Sequence, residues 1–207
     1  MATQNMTTRH HLSFRILHEL IITAIIFLII TGFYIHRPFV GGGGFLMSLV
    51  RGVHFFAAGI LIIAAVLRIL GMFFGRNRDW RSFIPTFADI KMLPNVINYY
   101  AYLGKEPDIK KKYNPLQMIS YCLAFVLVVF QIVSGFALQY PDGWLRWFNY
   151  GLFNNEIQVR MAHYVINWLF IMFLMIHVYL TIREKVSEIK EMHLLSGSEE
   201  NRKVAKE

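Results

Sequence analysis

The stretch RMAHYVINWLFIMFLMIHVYL, residues 160–180, decides the fold. No residue between Arg160 and Arg183 carries a formal charge. A helix needs about 20 apolar residues to cross a bilayer core, so this run reads as a membrane span. It nevertheless holds two ionisable groups, His163 and His177, 14 residues apart. On a helix that spacing is roughly 21 Å along the axis and a return to within about 40° of the same face. Both imidazoles then fit within a hydrocarbon core about 30 Å thick, one near each edge. Ionisable residues inside spans are functional candidates by default.

Three more apolar segments lie upstream. Together the four spans cover about 16–36, 48–75, 115–139 and 160–183; Glu19 is the one charge in the first, and Arg68 the one break in the apolar run from about Val53 to Gly75. The chain has 207 residues, 56% hydrophobic and only 16% charged; soluble domains carry about a quarter charged residues. The net charge of +8 does not indicate nucleic acid, because the basic residues sit between the apolar runs. The segment Ile16–Ile35 is long for a secretory signal, and no small-x-small site follows it; it reads as an uncleaved first span. The one cysteine, Cys122, allows no disulfide within the chain. Inside an apolar run it reads as a buried small hydrophobe. No Cys-x-x-Cys-His occurs, which excludes covalent haem attachment. The expected fold is an all-α integral membrane bundle of four transmembrane helices. One domain covers 1–195, and 196–207 is a polar tail.

Basic residues in the connecting segments set the orientation. With the N-terminus in the cytoplasm, 16 of the 21 Lys and Arg lie inside, four lie outside, and Arg68 lies within a span. That bias places both termini in the cytoplasm. Residues Phe87 to Leu103, in the long inner loop, mix apolar and aromatic side chains with few charges. They predict an amphipathic helix at the interface, interrupted near Pro94. Outside, Gly41 to Gly44 form a flexible turn, and Asp142 to Gln158 carry aromatics suited to the headgroup belt.

A short internal repeat is visible. ITGFYIHRP (30–38) resembles VSGFALQYP (133–141), and RGVHF (51–55) resembles RMAHY (160–164). Spans one and two therefore resemble spans three and four.

Of the eight histidines, His10, His11 and His193 lie in polar tails, and His36 stands beside Arg37 at an interface. His18, His54, His163 and His177 remain. Spans two and four both run inward, so His54 and His163 share the outer level. Span one runs outward, so His18 shares the inner level with His177. Two histidine pairs at two depths predict two b-type haems, each with two axial imidazoles that add no charge to the membrane interior. Iron closed on both sides carries electrons and does not bind substrate. Arg68, 14 residues after His54, and Arg15, three before His18, are candidate partners for haem propionates. Arg51 and Arg160, each three before an outer histidine, read more simply as interfacial residues. Gly32, Gly59 and Gly135 permit close approach of a backbone or a porphyrin, though helix packing explains them equally well.

These residues resemble the b-type cytochrome subunit of membrane-bound nickel–iron hydrogenases, and share their haem pattern with the gamma subunit of formate dehydrogenase. The resemblance covers about 9–190. It rests on RILHELI (15–21), TGFYI (31–35), VRGVHFFAAG (50–59), LRI (67–69), YNPLQM (113–118), SGFAL (134–138), RMAHY (160–164) and HVYLTIREK (177–185). It departs from the family at Leu17 and Glu19, where aromatic residues often flank the first histidine. The resemblance implies haem ligands at His18, His54, His163 and His177. It implies a partner made of hydrogenase small and large subunits, or another dehydrogenase, outside a bacterial or archaeal cytoplasmic membrane. The diffusible acceptor is then menaquinone or ubiquinone, near the inner haem. At that depth Asn114 and Gln117 are candidate quinone contacts, with Tyr113 and Glu19 behind them. Asn114 before Pro115 reads equally as a helix N-cap. The alternatives are the cytochrome of a formate dehydrogenase or thiosulfate reductase, a stand-alone cytochrome b561-type oxidoreductase, and a haem-free anchor.

Overall fold

The structure, a computed structural model, describes residues 12–40, 44–74, 83–107, 109 and 113–184. Its elements are α1 (Leu12–His36), α2 (Phe45–Phe74), α3 (Phe87–Tyr100), α4 (Pro115–Gln139), a π-helical turn (Phe148–Leu152) and α5 (Glu156–Glu184). There is no strand among the described residues. The helices α1, α2, α4 and α5 contain four stretches long and apolar enough to cross a membrane. Their outward side chains are apolar, with Ile30, Phe56, Ile63, Val126 and Met175 each more than half exposed. Such surfaces favour lipid over water.

The span boundaries move where local capping overrides hydropathy. The fourth span was expected from 160, but α5 begins at Glu156. Asn155 explains this: its Oδ1 accepts the Gln158 amide at 3.0 Å, while Gln158 Oε1 accepts the Asn154 amide at 3.1 Å. Those side chains satisfy donors that a helix start leaves open. Similarly α2 starts at Phe45, immediately after Gly44, whose φ of 75° lies in the left-handed region.

Two compact units emerge. One joins α1 and α2 as far as Ile69 with α5 from Ile176; the other runs from Leu70 to Met175. The second unit has a small core at the end of α4, where Ala137, Leu145, Phe148 and Val159 pack together. Asn149 is fully buried there and donates to the Ala137 carbonyl at 2.8 Å. The segment after α4 is thereby tied to its own helix, with Trp144 and Trp147 exposed on top. At its edge the Tyr150 hydroxyl donates to Glu156 Oε1 at 2.5 Å.

Helix α3 was expected to break near Pro94. It runs through instead, with Pro94 inside it. One missing amide is tolerated because both ends are fixed. Thr86 and Asp89 form a capping box, with Asp89 Oδ2 accepting the Thr86 amide at 2.7 Å. Buried Asp89, Val96 and Tyr100 lie on the side that packs on α4.

Cys122 corrects the sequence reading, since it is exposed, with Sγ 3.5 Å from the Phe83 carbonyl. In a membrane helix lipid satisfies an apolar side chain as well as a core does, so an apolar setting does not imply burial. His10, His11, His193, the basic residues at 76–81 and 110–112, and the tail 196–207 lie outside the described residues.

Candidate functional site

In the first unit, His18 lies on the second turn of α1 and His177 near the end of α5, both half-buried. Their ring centroids are 6.4 Å apart and their planes are tilted by 52°. Arg15 precedes His18 by one turn and is half-buried, as is Arg68 on α2. His54, on α2, has Nδ1 2.8 Å from Thr31 Oγ1 on α1. A Cβ added at Gly32 would lie 3.7 Å from His54 Cε1.

The second unit repeats the last arrangement. His163, on α5, has Nδ1 2.7 Å from Ser134 Oγ on α4. A Cβ added at Gly135 would lie 3.6 Å from His163 Cε1. Gln131, one turn before Ser134, donates its amide to the His163 carbonyl at 3.0 Å. The sequence singled out the two glycines but passed over Thr31 and Ser134. The signal was present: TGF at 31–33 aligns with SGF at 134–136 in the repeat.

The candidate quinone residues form a hydrogen-bonded corner at the start of α4. Asn114 is the N-cap, its Oδ1 accepting the Gln117 amide at 2.8 Å and Gln117 Oε1 accepting the Asn114 amide at 3.1 Å. Asn114 Nδ2 also donates to the buried Tyr100 hydroxyl at 2.8 Å, which fixes α3 to α4. Beside the corner, Tyr113, Phe83 and Tyr121 form an aromatic cluster with centroids 4.9–5.6 Å apart. Sequence reading missed Tyr100, Phe83 and Tyr121, because nothing local announces which loop residues return to α4.

The chemistry available is that of neutral nitrogen ligands in an apolar setting. No group of three or more His, Cys, Asp or Glu able to hold a bare metal ion occurs among the described residues.

Comparison with known proteins identifies the family. The profile of the family described as prokaryotic cytochrome b561 matches residues 9–193. A probable Ni/Fe-hydrogenase B-type cytochrome subunit of Bradyrhizobium diazoefficiens is 32% identical over 188 residues, covering 83% of this chain and 76% of that protein. Proteins of the same description from Azotobacter vinelandii and Escherichia coli K12, the latter a hydrogenase 1 subunit, are 31% and 28% identical. Each comparison covers 83% of this chain, with 78% and 80% of the respective relative. The chain therefore belongs to the prokaryotic cytochrome b561 family, and it is an integral membrane b-type cytochrome whose family implies haem b and electron transfer.

Proposed function

We propose that this chain is the di-haem membrane subunit of a nickel–iron hydrogenase, relaying electrons from an extracytoplasmic enzyme to membrane quinone. The observation that carries it is the 6.4 Å between the His18 and His177 ring centroids. A metal–imidazole bond is about 2 Å, and adding a ring radius on each side gives roughly 6 Å between two imidazoles that share one metal atom. The rings also come from the two helices that the sequence assigns to the inner level. His54 and His163 are proposed as the outer pair. Each has a glycine beside its Cε1, Gly32 and Gly135, where an added Cβ would make ordinary van der Waals contact.

Haem bound at these pairs would supply one-electron redox chemistry at two depths. The chain's own residues do the rest. The four histidines hold iron without adding charge. The half-buried Arg15 and Arg68 can face propionates with planar guanidinium groups. Both termini are proposed to be cytoplasmic, in a cytoplasmic membrane, with residues 1–195 as one domain and 196–207 as its tail.

Helix α3 is proposed to lie at the inner interface. Its three sides support this: buried Asp89, Val96 and Tyr100 in one direction, exposed Phe87, Ile90 and Ile97 in a second, and Lys91, Asn95 and Asn98 in a third. That suits a helix with protein, lipid and water on separate flanks. The corner it makes with α4, at Asn114 and Gln117, is the proposed quinone site.

The hydrogenase partner rests on the names of the relatives. The test is to purify the chain with its membrane complex. Two low-spin b haems per chain and hydrogen-dependent quinone reduction that needs this chain are expected. One haem or none on fully loaded protein, or quinone reduction without the chain, counts against the proposal.

A further inference from the structure

We infer that Thr31 and Ser134 are positioning residues for the outer haem, holding His54 and His163 as Nδ1–H tautomers so that Nε2 alone faces the iron. The inference rests on the haem reading above and assigns a role to two residues outside its ligand set.

The hydrogen-bond network assigns the tautomer. A hydroxyl has one proton and two lone pairs. Thr31 Oγ1 lies 2.5 Å from the Phe27 carbonyl oxygen, and Ser134 Oγ lies 2.6 Å from the Phe130 carbonyl oxygen. Carbonyl oxygens only accept, so at those distances each hydroxyl proton belongs to the carbonyl. The second short contact of each hydroxyl, to Nδ1 of His54 at 2.8 Å and of His163 at 2.7 Å, must then take its proton from the ring. A neutral imidazole with hydrogen on Nδ1 has its lone pair on Nε2. Each histidine is thus set for iron at the nitrogen facing away from its anchor.

The simpler explanation is ordinary back-bonding, because Ser and Thr in membrane helices often donate to the carbonyl one turn earlier. That accounts for the two carbonyl contacts. It does not account for the same hydroxyl receiving an imidazole in both halves of the repeat. Nor does it account for a glycine following each hydroxyl, where an added Cβ would meet the same ring at Cε1. The conjunction recurs as a unit, hydroxyl and glycine on one helix, histidine on the next.

The Nδ1–H···O bond makes an imidazole a stronger donor to iron and fixes its plane. Removing it should therefore weaken binding of the outer haem, by about 10- to 100-fold, and raise its reduction potential, since the oxidised iron loses donor strength. The inner haem should keep its affinity and potential.

The test compares Thr31→Val and Ser134→Ala with the conservative Thr31→Ser and Ser134→Thr in the purified membrane complex. Haem content and a redox titration that resolves the two haems are measured. Either a raised outer-haem potential or selective loss of the outer haem, reversed in the conservative variants, supports the inference. An unchanged potential in both deletion variants overturns it. So does loss of both haems, or a loss that the conservative variants share. Nitrogen chemical shifts of His54 and His163 in haem-free chain separate this inference from the haem reading. Wild type should show hydrogen on Nδ1 at both residues, and each deletion variant a mixture at its own histidine. If no chain binds haem but the tautomers behave so, the haem reading alone fails; a mixture already in wild type overturns the positioning role.

Discussion

His18 and His177 belong to α1 and α5, and their imidazole centroids are 6.4 Å apart. A pair of this kind needs both members, because one imidazole leaves an axial position open. His18→Ala and His177→Ala should each reduce haem content from two per chain to about one and leave the potential of the remaining haem unchanged. His54→Ala and His163→Ala should do the same for the other haem. A pyridine haemochrome assay with a redox titration checks this. If His18→Ala and His177→Ala remove different haems, the pairing is wrong.

Asn114 has two roles that mutation separates. Its Oδ1 caps α4 and its Nδ2 reaches Tyr100. Asn114→Ala should cost about 1 kcal/mol through the lost cap. Asn114→Asp keeps an acceptor for the cap but removes the amide donor. If the amide serves the proposed quinone site, both variants should slow quinone reduction several-fold while both haems stay reducible by the partner. Slowing in the Ala variant alone would reduce Asn114 to a cap.

Tyr150 gives a pH prediction outside the membrane spans. Its hydrogen bond to Glu156 raises the phenol above its ordinary value, helped by desolvation and by the charges of Glu156 and Asp142, against the opposing Arg146. The neutral phenol is the donor. Its contribution to stability is therefore present below the ordinary value of about 10 and is lost as pH rises through the folded value. The phenolate absorbance missing from Tyr150→Phe should develop at higher pH than for a free tyrosine. In Glu156→Gln it should develop at lower pH than in wild type. An unmoved titration in Glu156→Gln would show that the hydrogen bond does not govern it.

Orientation is open to a direct assay. The excess of basic residues on one side, 16 against four, predicts a cytoplasmic C-terminus. Alkaline phosphatase, active only outside the cytoplasm, should be silent when fused after Glu207 and active when inserted near Asp142. The reverse pattern would exchange the inner and outer labels of both histidine pairs.

The sequence by itself determined the helical class and the four apolar spans, and it singled out four histidines as candidate ligands. The reason is that a bilayer leaves few choices: apolar length sets a span, and an ionisable group within one is conspicuous. For the same reason it misjudged Cys122, since a bilayer rewards apolar residues on either side of a helix and composition cannot say which side faces lipid. Ends were less legible than spans, because the start of α5 depends on side-chain caps at Asn155 and Gln158 and not on hydropathy. Tertiary structure alone decided that Thr31 and Ser134 meet imidazoles, that Tyr100 ties α3 to Asn114, and that Pro94 does not break α3. Each of these depends on a contact at hydrogen-bond distance, or on packing, between residues that are separated along the chain. A serine that bonds only its own helix and a serine that also holds a histidine have the same sequence, and only the position of the neighbouring helix distinguishes them.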